Sequence, residues 1–204
     1  MNSYNASEWY ENLLLFVKES TKHFDESHDW THAAIVTKST HIVMKSLGNE
    51  YEEKLVTYAA MLHDVCDHKY PDSISREKLE GFISENLEKV DRDRVLAIID
   101  NVSYSKQAKG KRIQLPEPDC TYLVALSDAD RLEAIGEIGI KRCATFTLER
   151  GGKVPEGVIE HCHEKLLRLL PDGFIVTELG RKMALPLHQE ILDYVAENTP
   201  LISA

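Results

Sequence analysis

The stretch Tyr58-Ala-Ala-Met-Leu-His63-Asp64-Val-Cys-Asp67-His68-Lys69 sets an imidazole beside a carboxylate at the end of an apolar run. Imidazole nitrogen and carboxylate oxygen are the donors that borderline divalent metals take. Adjacent helical residues point ~100° apart, so both side chains reach one ion only if it sits in the wedge between them. Asp67 follows Asp64 by about one turn and falls on nearly the same face. Polarity buried beside a core segment is costly unless a cation or hydrogen bonds compensate. A lone His-Asp pair is nevertheless more often a solvated helix end, so partners elsewhere in the chain decide its meaning.

Two other clusters offer such partners. His28-Asp29-Trp30-Thr31-His32 places two imidazoles at i,i+4, on one helix face, with His32 leading into the apolar positions Ile35 and Val36. On its own, a histidine next to a core stripe is more often a satisfied core residue than a ligand. Ser127-Asp128-Ala129-Asp130-Arg131-Leu132 sets two carboxylates in an otherwise apolar stretch, where an internal ion pair with Arg131 is the plainer reading. Helical residues two apart point ~200° apart, so only one of the two aspartates can face an ion. Periodicity does not choose, because Asp130 aligns with Leu123 and Leu126 while Asp128 aligns with Val124, Leu132 and Ile135.

Helices must position these groups, since nearly every segment has helical periodicity and none alternates as a strand would. Ser7 can cap a helix to about His23, and Ser27 or Asp29 opens one to Leu47, where Gly48 suits a C-cap. Glu50 to Val65 forms a third, Ser75 to Leu87 a fourth, and Asp91 to about Ser103 a fifth. Lys106, Lys109, Lys111 and Arg112, with Gly110, Pro116 and Pro118, then make a polar basic loop, either a plain connection or an electropositive lid for an anionic substrate. Helices resume from Asp119 through Arg131, with a possible continuation over Ala134–Leu148, and again over Pro155–Leu170. Thr177 caps the last, which reaches about Glu197 with a kink expected at Pro186. The expected architecture is all-α, a single compact helical domain over residues 1–204.

Composition narrows the function. The 204 residues are 43% hydrophobic and 28% charged, an ordinary globular balance. A net charge of −10 argues against general affinity for nucleic acid, which rests on neutralising phosphates. No apolar run reaches the ~18 residues of a membrane span, and the first residues lack the basic and apolar regions of a secretory signal. The four cysteines are scattered with no CxxC pair, as free thiols in a reducing compartment would be. A cytoplasmic location is expected; oligomeric state is left open.

Taken in order, His32, His63-Asp64 and Asp130 resemble the H…HD…D signature of the HD-domain metal-dependent phosphohydrolases. The likeness is to the YedJ/YpgQ-like branch and covers about residues 20 to 195. It runs through His28-Asp29-x-x-His32, Ala59-Ala-Met-Leu-His63-Asp64-x-x-Asp67-x-Lys69, Val102-Ser-Tyr-Ser105 and Asp128-Ala-Asp130-Arg131. His161-x-x-Glu164-Lys165 and Thr177-x-x-Gly180-Arg181 complete it. The chain departs from the branch at His161-Cys-His163, where His-Phe-Tyr is usual, and at Leu132-Glu-Ala-Ile-Gly136, where Leu-Asp-Ala-Leu-Gly is common. Neither departure touches a ligand.

The resemblance implies one divalent metal held by His32, His63, Asp64 and Asp130, with Asp128 a buried structural acid. Two neutral imidazoles and two carboxylates suit Mn²⁺, the favoured ion, and also Co²⁺, Ni²⁺, Fe²⁺, Zn²⁺ or Mg²⁺. Asp67 takes the position of the acid that orients or deprotonates the attacking water in related enzymes; a solvated helix-end acid is the competing reading. Lys69 offers a point charge to phosphate, or is a surface lysine. Arg131 pairs with Asp128 or reaches a substrate phosphate, and Arg181 either closes the pocket or is solvated. His28 and Asp29 shape the helix start and orient ligands. The implied substrate is a small phosphorylated metabolite, a nucleotide above all, cleaved to release phosphate or pyrophosphate. Two alternatives are an HD-fold di-iron oxygenase and a non-catalytic nucleotide- or metal-binding HD protein. The first needs extra histidines between Asp64 and Asp130, where only His68 stands; the second commonly lacks ligands that are all present here.

Overall fold

The computed structural model describes residues 6–25, 28–67 and 70–199. Ser27, one of the two expected helix openers, and Lys69, expected either to offer charge to phosphate or to be a surface lysine, therefore lie outside the described residues, as does His68. The described residues contain ten α-helices and no strand, an all-α fold. By contacts the chain divides into two units, Met1–Leu126 and Ser127–Ala204.

In the first unit α1 spans Ala6–Thr21, α2 Trp30–Ser46, α3 Glu53–Leu62, α4 Arg76–Asn86, α5 Lys89–Val102 and α6 Tyr104–Ala108. The α3 helix is its centre. Every residue from Leu55 to Leu62 is buried, and α3 packs on α1, α2 and α5. Leu62 and Met61 are fully buried, so truncating either to alanine costs about 2–5 kcal/mol. A helix this buried holds whatever side chains follow it in a fixed place.

Several boundaries differ from the periodicity. α3 is shorter than Glu50–Val65 at both ends. Glu52 has a non-helical backbone, with its N–H donating to the Tyr122 hydroxyl at 3.2 Å. At the other end, Val65 N–H reaches back to Leu62 O, a tighter turn that ends the helix before Asp64. α5 starts two residues before Asp91, because Glu88 accepts from Arg92 N–H and closes the first turn. α1 begins at Ala6 and ends at Thr21, short of His23.

The basic segment contains the short helix α6, closed by Gly110 at φ +64°. It is tied down at several points. The Lys106 ammonium donates to Asp100 O, Arg112 Nη1 donates to Gln107 Oε1 at 2.6 Å, and Ile113 N–H donates to Asn101 Oδ1 at 3.0 Å. The four cysteines are free thiols.

The division between the units falls inside α7, an unbroken helix over Asp119–Glu133. The second unit continues with α8 (Gly136–Glu149), α9 (Glu156–Glu164), a 3₁₀ turn at Leu166–Arg168 and α10 (Glu178–Asn198). α7 and α8 are separate helices. Gly136 sits at φ +78°, and a Cβ on Gly139 would lie 2.1 Å from Ala134 O, so the chain turns where only glycine fits. The Pro155–Leu170 segment is likewise broken, at Lys165. α10 runs through Pro186, and Thr177 caps it by accepting from Gly180 N–H.

Candidate metal centre

The site is built from the start of α2 and the end of α3. Asp29 is the N-cap of α2; its Oδ1 accepts from Thr31 N–H at 2.8 Å and from His32 N–H at 3.1 Å. That cap fixes the first turn of α2, and with it the backbone that carries His32. His32 is buried beneath the helix start. His63 stands at the C-cap of α3 with a helical backbone, and its ring is almost fully buried. Asp64 follows in the turn and is half-buried.

The hydrogen bonding of His63 decides its chemistry. Nδ1 lies 2.7 Å from Ala60 O, and a carbonyl only accepts, so Nδ1 carries the proton. Nε2 therefore presents its lone pair, 3.3 Å from Asp64 Oδ2. His32 Nε2 is 3.7 Å from the same oxygen, and the two rings are 5.4 Å apart. Two imidazole nitrogens thus face one carboxylate oxygen.

Asp130 lies on the last turns of α7 and is half-buried. His32, His63, Asp64 and Asp130 form a group that could hold a metal ion, each offering one ligand atom and all four atoms lying within 4.8 Å of one another. The donor set fits a borderline divalent ion, with two nitrogens and two oxygens. The backbone-fixed tautomer of His63 is the arrangement metal-binding histidines usually show.

Asp128, two positions earlier, has a different environment. It is fully buried, and its carboxylate accepts from Val176 N–H at 2.9 Å, Thr177 N–H at 2.7 Å and Thr177 Oγ1 at 2.7 Å. These bonds hold the segment leading into α10. Arg131 is also buried, with Nη1 donating to Phe174 O. Arg181 is exposed near the start of α10, its Nη1 3.4 Å from Ile175 O.

Around the first-unit part of the site stand His28 and Asp67, whose spacing from His32 and Asp64 suggested shared helix faces but which both lie outside the helices. Asp67 lies beyond the end of α3 in irregular chain, with its side chain 9% exposed. His28 Nε2 is 3.9 Å from Asp64 Oδ2 and 4.0 Å from Asp67 Oδ2. Behind His28, Tyr70 donates its hydroxyl proton to Asp25 Oδ2 at 2.6 Å and lies 2.9 Å from His28 Nδ1. The Tyr70 ring stacks on Phe24 at 4.1 Å. Tyr70 and Asp25 are 45 positions apart, and no local pattern in either segment marks them as partners.

Known proteins resemble this chain over most of its length. The family model described as HD domain matches residues 29–135. The Bacillus subtilis protein YpgQ, itself uncharacterized, is 31% identical over 182 residues, covering 85% of this chain and 84% of YpgQ. The crystal structure of YpgQ in complex with ADP matches with a TM-score of 0.74 at 26% identity, over 97% of this chain and 98% of that one. An HD-superfamily hydrolase from Bacillus thuringiensis matches with a TM-score of 0.70 at 25% identity, over 95% and 96% of the two chains.

Proposed function

Because the chain belongs to the HD-domain family, we propose that it is a metal-dependent phosphohydrolase acting on a small phosphorylated metabolite, specifically a nucleotide. The observation that carries this reading is the group of four ligand atoms within 4.8 Å. The ADP held by the similar YpgQ supports a nucleotide as the substrate class.

A divalent transition ion held by His32, His63, Asp64 and Asp130, with Mn²⁺ favoured, would supply a Lewis acid for a phosphoryl oxygen and lower the pKa of water. The chain's own residues do the rest. His63, locked by Ala60 O, keeps its Nε2 lone pair directed toward Asp64. Asp67 accepts a proton from the attacking water. The water oxygen forms the new bond to phosphorus, the bond to the leaving oxygen breaks with its electron pair, and that oxygen is protonated by solvent. Lys69 and Arg181 are assigned to phosphate charge. Arg131 is assigned to holding Phe174 O, and Asp128 to holding Val176 and Thr177. This reading places the protein in the aqueous cell interior; no helix among the described residues is long and apolar enough to cross a membrane.

The test is a screen of phosphorylated metabolites against chelator-treated protein, resupplied with Mn²⁺, Mg²⁺, Co²⁺ or Zn²⁺. Release of phosphate or pyrophosphate from a nucleotide, and only with metal, is the expected result. A protein inert toward every compound with every ion contradicts it.

A further inference from the structure

His28, Tyr70 and Asp25 form a chain of hydrogen bonds whose direction can be worked out atom by atom. Tyr70 has one hydroxyl proton and donates it to Asp25 Oδ2 at 2.6 Å. Toward His28 Nδ1, at 2.9 Å, the phenolic oxygen can then only accept. Nδ1 must carry the proton, so in the neutral ring Nε2 holds the lone pair. That atom is the one that faces Asp64 and Asp67, at 3.9 and 4.0 Å. Polar atoms separated by that distance do not bond directly, but they can share one water.

A water placed there would donate one hydrogen to His28 Nε2 and the other to Asp67. Both of its lone pairs would then point away from these acceptors. A nucleophilic water has to be presented this way, and proximity with orientation is a large share of what a site contributes. The logic is that of any base held by a third group: the far nitrogen works because the near one is tied.

We propose that Asp25 and Tyr70 are positioning residues that lock His28 in its Nδ1–H form, so that Nε2, together with Asp67, orients the attacking water. This inference rests on the phosphohydrolase reading for its chemical consequence. The locked tautomer itself does not depend on that reading. The Phe24 stack explains why the Tyr70 ring can hold its hydroxyl in place, and it means that phenylalanine at position 70 keeps the packing while removing the link.

The test is long-range ¹H–¹⁵N correlation on protein labelled at histidine, above the titration range of His28, with its signals assigned from a His28→Gln sample. Wild-type protein should show His28 protonated at Nδ1. In Tyr70→Phe the Nε2–H form, which free imidazole side chains favour, should become populated, and Asp25→Asn should shift the same way. With a nucleotide that the screen finds to be cleaved, Tyr70→Phe should lower kcat about tenfold or more while KM stays within about twofold, since a lost outer partner typically costs 10–100-fold. An Nε2–H ring in the wild type, or an unchanged Nδ1–H ring in Tyr70→Phe, overturns the proposal. So does a wild-type kcat in Tyr70→Phe. If no nucleotide is cleaved by wild-type protein, the hydrolase reading fails, while the correlation spectra still decide the lock.

Discussion

His63 Nδ1 lies 2.7 Å from the carbonyl oxygen of Ala60, three residues back on α3. The bond spends the ring's one proton on the backbone and leaves Nε2 as a donor atom facing Asp64 at 3.3 Å. Replacing His63 with glutamine should therefore remove a ligand without removing the helix that carries it. Metal bound per chain, read by atomic emission after equilibration with Mn²⁺, should fall to background while the helical circular dichroism is kept. Full metal content in His63→Gln would exclude this nitrogen as a ligand.

The two aspartates of Asp128-Ala-Asp130 should separate function from stability. Asp130→Ala should lose metal and activity but stay folded, because deleting a ligand carboxylate also relieves repulsion in a metal-free site. Asp128→Ala should instead be destabilised, because it strands the N–H groups of Val176 and Thr177 and the Thr177 hydroxyl. Each unsatisfied group costs about 1–3 kcal/mol. Urea unfolding and metal content measured on both variants check the assignment. A metal-replete Asp130→Ala beside a metal-free, stable Asp128→Ala would reverse it.

Much of this was legible in residue types and order. His32, His63, Asp64 and Asp130 come together as one set only through their order, which resembles the HD-domain pattern; residue type and periodicity alone leave each with a plainer reading. The choice between Asp128 and Asp130 was not legible from periodicity, since both align with apolar positions; Asp128 is distinguished by its bonds to Val176 and Thr177, almost fifty residues away. The Asp25–Tyr70–His28 chain was invisible for the same reason. Its partners meet only through tertiary structure. The break at Gly136 had a local signal, a glycine, but the apolar pattern on both sides suggested a possible continuation. Steric contact with Ala134, Leu187 and Glu190 is what requires glycine at 136 and 139.

That contact gives a further prediction. Gly136→Ala would put a Cβ 2.8 Å from Leu187 Cδ2 and from Glu190 Oε2, at a φ of +78°. The left-handed backbone alone costs a non-glycine residue about 1–2 kcal/mol. Thermal unfolding should show a loss of at least that size, whereas Gly81→Ala, with nothing within 4 Å of its added Cβ, should be neutral or stabilising. Equal stability of the two variants would contradict the packing described.

Acid should weaken the first unit through Arg94. Its guanidinium makes two bonds to Glu52, at 2.6 and 2.9 Å, and others to buried Asp119. The hydrogen bond from Arg94 holds the Glu52 carboxyl below its ordinary value of 4.5. A depressed folded value means that the unfolded chain takes up the proton first. The contribution is thus fully present above about pH 4.5 and is lost as pH falls through the lower folded value. Because Glu52 is half exposed, solvent screening keeps the effect small. Unfolding free energy measured from pH 6 to 3 should fall less steeply in Glu52→Gln than in wild type. Parallel curves would remove Glu52 from the account.

The most direct measurement is hydrolysis of a nucleotide in H₂¹⁸O by chelator-treated protein with and without added Mn²⁺, following the product by mass spectrometry. Water attack on phosphorus predicts one ¹⁸O in a phosphorus-bearing product per turnover, dependent on the metal and independent of dissolved oxygen. Turnover without label at phosphorus, or turnover coupled to oxygen consumption, would contradict the phosphohydrolase account.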